Sequence, residues 1–242
     1  MRSPGRDETG LRPLTIEPHF IRHPEGSCLV RMGETWVLCA ATVEESVPPF
    51  LDGKNRGWVT AEYSMLPRAT HTRKRRDITT GRINGRTQEI QRLIGRALRS
   101  AVDMKALGER TIVVDCDVIQ ADGGTRTASI NGGFVALALA IQKLQKKGKI
   151  ATSPIQSAVA AVSIGLKKGE TLVDLDYGED SSCDVDMNFV MLENNRIVEL
   201  QGTAENSSFS PEESQKMLAD AGRTIKKIIG IQRAVLEKAT GG

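Results

Sequence analysis

The chain has 242 residues, 39% of them hydrophobic and 26% charged, with a formal net charge of +3. That is apolar material for one large packed domain or two small ones, and too little net charge to demand a nucleic-acid partner by itself. No apolar run approaches the ~20 residues of a membrane span, and the polar Met1–Leu11 holds nothing resembling a signal peptide, so a cytoplasmic protein with no membrane partner is expected.

In chain order, residues 1–25 read as an irregular arm carrying Arg2, Arg6 and Arg12. Ser27–Arg31 and Thr35–Thr42 are strands around Met-Gly-Glu, a hairpin signal. Trp58–Leu66 is another strand. Pro67–Asn84 is polar and basic, a long loop of the kind that is functional or disordered in compact domains. Over Arg86–Met104, residues Ile90, Leu93, Ile94, Ala97, Leu98, Ala101 and Val102 form one apolar helical stripe. Thr111–Ile119 alternates as a strand does, with Ile112, Val114, Cys116 and Val118 on one face. The chain turns at Asp122-Gly123-Gly124, and from Thr125 it is small and helix-compatible. Lys143–Ser153 is a basic, polar connection.

The second half repeats that order. Ser157–Leu166 and Thr171–Tyr177 form a hairpin, Cys183–Met191 and Arg196–Gln201 are strands, and Ser210–Lys238 is a long helix. Ser210, Pro211 and Glu213 mark its start as a capping box with proline in the first turn. Gly-Glu-Thr occurs in the first hairpin of each half, at Gly33–Thr35 and Gly169–Thr171. The pattern points to two similar β-rich halves, roughly 1–110 and 111–242, within a single domain 1–242. The cysteines, Cys28, Cys39, Cys116 and Cys183, have no CxxC spacing and lie in or beside strand-like segments, as buried reduced thiols do.

Three clusters can carry chemistry. At Gly124, Thr125 and Arg126 a glycine turn opens a helix, whose unpaired N–H groups carry partial positive charge. With the Thr125 hydroxyl and the Arg126 guanidinium they form an anion cradle; the plainer alternative is a tight turn with a threonine cap. The second cluster is the polar strand face of Asp184, Asp186 and Asn188, with Asp180 in a turn before it. It is either a solvated face or a group of carboxylates suited to Mg²⁺ or to general acid work. The third is the run Arg68 to Asp77, which includes Arg73 and Arg76, with Arg82 following. It is either a solvated charge run or a grip on RNA phosphates, and it has no aromatic residue for stacking bases.

The stretch Cys116–Ala128, Cys-Asp-Val-Ile-Gln-Ala-Asp-Gly-Gly-Thr-Arg-Thr-Ala, resembles the signature of the RNase PH family of phosphate-dependent 3′→5′ exoribonucleases. The resemblance extends from Arg2 to about residue 238. It implies an α+β fold built on a duplicated βαβα unit, similar to the second domain of a small-subunit ribosomal protein, with helices packed on mixed sheets. It implies inorganic phosphate as co-substrate, bound by Arg86, Gly124, Thr125 and Arg126. Asp180 and Asp186 match the family's acidic residues for catalysis and for Mg²⁺ or Mn²⁺. At Asn188 related phosphorylases carry lysine, so that contact is not carried over. The implied activity is that of a tRNA nucleotidyltransferase acting on tRNA precursors and other RNA 3′ ends, in a homohexamer built as a trimer of dimers. Arg68, Arg73 and Arg76 are the expected RNA contacts, away from the scissile bond. A non-catalytic ring subunit of exosome type is the main rival; such subunits commonly lack the phosphate and acidic residues. A small-molecule kinase on a related fold is a further one.

Overall fold

A computed structural model describes residues 2, 6–76, 79, 81, 84–204 and 207–240. The first sheet is built from β1 (Leu14–Pro18), β2 (Gly26–Met32), β3 (Thr35–Glu44), β4 (Trp58–Met65) and β5 (Thr111–Gln120), in the order β1-β2-β3-β5-β4. Neighbours are antiparallel except β4 and β5, which run parallel. A parallel pair needs a crossover, and α1 (Gly85–Ser100) with the short α2 (Met104–Leu107) supplies it. After α3 (Thr125–Lys146) comes an antiparallel second sheet of β6 (Val159–Lys167), β7 (Glu170–Val173), β8 (Val185–Leu192) and β9 (Ile197–Ala204), ordered β7-β6-β8-β9. The one-turn helix α4 (Tyr177–Asp180) lies between β7 and β8, and α5 (Pro211–Thr240) follows the sheet.

Helix α3 is the element on which both sheets converge, packing on β2, β3, β5 and β6. A helix buried on all sides must be small or apolar all round, and every residue from Thr127 to Ile141 is buried. A Cβ at Gly132 would lie 2.7 Å from Val30 Cγ1 and 2.8 Å from Cys39 Sγ, so helix and sheet sit closer than alanine allows. On the other side Asn131 donates to the Ala161 carbonyl (3.0 Å) and accepts from the Ala161 N–H (2.8 Å). Its buried amide is thereby satisfied and ties α3 to β6. One contiguous apolar core runs through both sheets, and all four cysteines are buried free thiols. Among the described residues no helix is long and apolar enough to cross a membrane.

Several boundaries differ from the sequence expectation. Leu14–Pro18 pairs with β2 as a strand inside the supposedly irregular arm. The helix expected over Arg86–Met104 ends at Ser100, because the Asp103 carboxylate takes the N–H groups of Lys105 (2.8 Å) and Ala106 (3.2 Å) and starts α2. Helix α3 continues through Lys146 into the expected connection. The strand expected over Thr171–Tyr177 stops at Val173: Asp174 is left-handed (φ +57°), and Asp176 caps α4 in a capping box with Glu179. Strand β5 belongs to the first sheet, so a division at 110/111 does not separate the two sheets. The capping box of Ser210 and Glu213 forms as expected, at 2.7 and 3.2 Å.

Candidate active site

The Asp122-Gly123-Gly124 turn is held from three directions. Thr35 Oγ1 donates to the Gly123 carbonyl (2.6 Å) and accepts from the Asp122 N–H (2.9 Å). Arg12 Nη1 donates to the Asp122 carbonyl (2.6 Å), while its Nη2 and Nε bind the buried Asp174 carboxylate at 2.7 and 3.0 Å. Burial alone would lower the Arg12 pKa; the Asp174 hydrogen bond and the charges of Asp174, Asp122 and Asp176 raise it on balance. The third hold comes from the second half of the chain. A Cβ at Gly123 would meet Leu175 O and Asp176 C at 2.6 Å, and the Tyr177 N–H donates to Asp122 Oδ1 at 3.2 Å. Gly123 (φ +71°) and Gly124 (φ +62°) are both left-handed, a conformation open to glycine at little steric cost. The turn therefore places α4, and Asp180 at its end, against the N-terminus of α3.

The N-cap of α3 is Gly124, with no side-chain cap, so the threonine-cap alternative for Thr125 does not describe this turn. The Thr125 hydroxyl accepts from Tyr63 Oη at 2.9 Å. Arg126 donates to Gln201 Oε1 and lies 3.5 Å from Glu89 Oε1, with Gln201 Nε2 donating to Glu89 at 3.1 Å. Arg86 stands in the first turn of α1, where the Asn84 side chain accepts from its N–H at 3.0 Å. Two helix N-termini and two guanidinium groups thus bear on one region.

Arg86, Gly124, Thr125 and Arg126 line a cavity of about 630 Å³, and Asp180, Asp186 and Asn188 line the same cavity. Asp186 and Asn188 come from β8, paired with Gly165 and Ser163 of β6. Asp184 does not join them: its carboxylate accepts from the Lys168 N–H at 2.9 Å and holds the β6–β7 turn. Among the described residues no group of three or more His, Cys, Asp or Glu side chains could hold a metal. Two aspartates with an amide oxygen nearby still fit Mg²⁺, which binds through one or two carboxylates and keeps its other positions for water and phosphate.

The basic loop lies nearer than expected. The Ala121 N–H donates to the Ala69 carbonyl at 2.9 Å, and Ala69 is buried. This docks the loop just before the glycine turn, so Thr70, His71, Thr72 and Lys74 line the cavity. The loop thus reaches the cavity through residues other than the three expected contacts. Arg68, Arg73 and Arg76 are exposed and do not line the cavity. Asp77 and Arg82 lie outside the described residues. Sequence reading missed Tyr63, Arg12, Glu89 and Gln201. Tyr63 had a faint signal, a polar-tipped aromatic in an otherwise small or apolar strand face; the others had none.

This geometry brings two arginines and a helix N-terminus to the same cavity as two aspartates, at the meeting of two sheets. Sequence models of the 3′ exoribonuclease family match the chain, domain 1 over residues 10–143 and domain 2 over residues 157–223. The chain belongs to this family, the RNase PH family. Among solved structures it is similar to rice (Oryza sativa) Rrp46, with a TM-score of 0.78 and 19% identity over 97% of this chain and 100% of that one. It is also similar to the Archaeoglobus fulgidus exosome with RNA bound to the active site (TM-score 0.78, 21% identity, 95% and 91% covered) and to an archaeal exosome core (0.74, 19%, 95% and 90%). At these identities the likeness is one of fold.

Proposed function

We propose that this protein is a phosphorolytic 3′→5′ exoribonuclease. The observation that carries the reading is that Arg86, Gly124, Thr125 and Arg126 share one cavity with Asp180 and Asp186. Inorganic phosphate bound by the arginines and the α3 N-terminus attacks the phosphorus of the terminal phosphodiester. The bond to the 3′ oxygen of the penultimate nucleotide breaks, releasing a nucleoside 5′-diphosphate and an RNA shortened by one residue. Hydrogen phosphate brings one proton, and the departing 3′ oxygen takes up one, so charge balances; a carboxyl of the Asp180–Asp186 pair delivers it. The chain's main work is to hold two anions together in productive alignment, with guanidinium forks offsetting their repulsion. Asp180 and Asp186 would hold Mg²⁺ or Mn²⁺, which supplies Lewis-acid stabilisation of charge on the scissile phosphate. The reaction run backwards adds nucleotides from diphosphates. We assign tRNA precursors as the substrate and a homohexamer as the working assembly, both on the family resemblance.

A second reading, an RNA-binding ring subunit of exosome type, is favoured by the names of two of the similar structures, which are archaeal exosomes; none of the three names points to tRNA. The presence of both the phosphate cradle and the acidic pair in one cavity supports the enzyme. Incubation of a tRNA precursor with and without inorganic phosphate decides between them. Trimming that requires phosphate and yields nucleoside diphosphates supports the first reading; RNA binding without trimming supports the second.

A further inference from the structure

Thr125 lines the cavity and Tyr63 does not. Tyr63 points from β4 into the core, 4% exposed, with its hydroxyl 2.9 Å from Thr125 Oγ1. A buried phenol must give its proton to an acceptor or lose the hydrogen bond it had in water. Burial pushes the Tyr63 pKa up; the Thr125 hydrogen bond and the Arg86 and Arg126 charges pull against it without reversing the shift. The phenol therefore keeps its proton at neutral pH.

The neighbouring hydroxyls at the start of α3 behave differently. Thr127 Oγ1 donates to the Gly124 carbonyl and Ser129 Oγ to the Thr125 carbonyl, each at 2.8 Å. Such back-bonding to the helix is the ordinary habit of Ser and Thr. A threonine hydroxyl has one proton to give and two lone pairs. With Tyr63 donating into one lone pair, the Thr125 proton is left for the cavity side. The opposite arrangement would present oxygen lone pairs to an anion.

We propose that Tyr63 is a positioning residue for inorganic phosphate: its buried hydroxyl donates to Thr125 Oγ1 and so directs the threonine proton toward an unprotonated oxygen of the bound anion. The inference rests on the phosphate site proposed above. It also selects ligands by chemistry, since only a group with an acceptor oxygen at that point gains from the ordered pair. Inorganic phosphate and the terminal phosphate of a nucleoside diphosphate both qualify.

The test uses Tyr63→Phe, Thr125→Val and the double variant in the full chain. The readouts are KM for inorganic phosphate, KM for RNA, and equilibrium titration with inorganic phosphate alone. Loss of one such hydrogen bond predicts a rise of about 3–10-fold in phosphate KM and Kd for Tyr63→Phe, with KM for RNA unchanged. Because Tyr63 acts through Thr125, the double variant should match Thr125→Val rather than add to it. Wild-type phosphate affinity in Tyr63→Phe, additive losses in the double variant, or equal rises in both KM values would each overturn the inference. Should the wild-type protein neither bind nor use phosphate, the proposed function and this inference fall together. Failure in Tyr63→Phe beside a phosphate-dependent wild type removes the inference alone.

Discussion

Replacing Arg12 with Met tests how the glycine turn of the candidate site is held. The substitution keeps an unbranched stem and removes the guanidinium. Arg12 is 6% exposed and Asp174 0%. Asp174 would lose two charge-assisted bonds, from Nη2 (2.7 Å) and Nε (3.0 Å), and keep the Arg12 backbone N–H (2.8 Å) with Arg6 at 3.9 Å. Breaking one side of a buried ion pair costs ~3–5 kcal/mol, mostly because the surviving charge stays buried, and a domain of this kind has only ~5–15 kcal/mol in all. Urea unfolding of Arg12→Met should show a loss in that range. Adding Asp174→Asn should recover part of it: the charge goes, and asparagine tolerates the left-handed backbone (φ +57°) at this position. Phosphorolysis should fall too, because the Asp122 carbonyl loses its donor beside the cradle. A loss below ~1 kcal/mol for Arg12→Met, or no recovery in the double variant, would refute the view that this pair fixes the turn.

Arg86→Ala and Arg126→Ala should each slow phosphorolysis roughly 10²–10³-fold at low phosphate, while filter-binding affinity for RNA without phosphate changes little. Asp180→Asn and Asp186→Asn should abolish most turnover with the unfolding midpoint preserved, and full activity in both would reduce this wall to an ordinary polar face. Changing Arg68, Arg73 and Arg76 together to Ala should raise KM for a long RNA, leave kcat and short-oligomer turnover near wild type, and flatten the salt dependence of binding by ~0.7 in slope per lost single-strand phosphate contact. Lys74→Ala, at a cavity-lining position, should affect long and short substrates alike. Glu179 adds a pH dependence. Burial pushes its pKa up, but hydrogen bonds from Arg2 and the Asp176 N–H, with the charges of Arg2 and Arg6, hold it below the usual carboxylate value. A depressed folded pKa contributes stability that is present above the ordinary carboxylate pKa and is lost as pH falls through the folded value. Unfolding free energy measured from neutral to acid pH should therefore fall less steeply in Glu179→Gln than in wild type.

Local pattern in the chain was enough to place most strands, the long helices and the glycine turn. Alternation in Thr111–Ile119, the stripe from Ile90 to Val102 and the box of Ser210 with Glu213 are each set by residues within a few positions of one another. Gly124-Thr125-Arg126 and the alternation around Asp186 were likewise legible as short motifs, whereas Arg86 entered only through the family resemblance. Their convergence on one cavity was not, because it depends on pairs far apart in sequence: Arg12 with Asp174, Tyr63 with Thr125, Arg126 with Gln201. Arg12 and Arg2 read as loose arm cations in the sequence. In the fold they are clamped on Asp174 and Glu179, since a charge taken out of water must find its partner wherever the chain brings one. The short helix α4 was missed for a related reason. Asp176 could cap a helix or continue a strand, and the close seat of Gly123 against Leu175–Tyr177 decides which. Local sequence sets the elements because their hydrogen bonds and periodicity are local; the site required tertiary packing because its charges are satisfied only across the meeting of the two sheets.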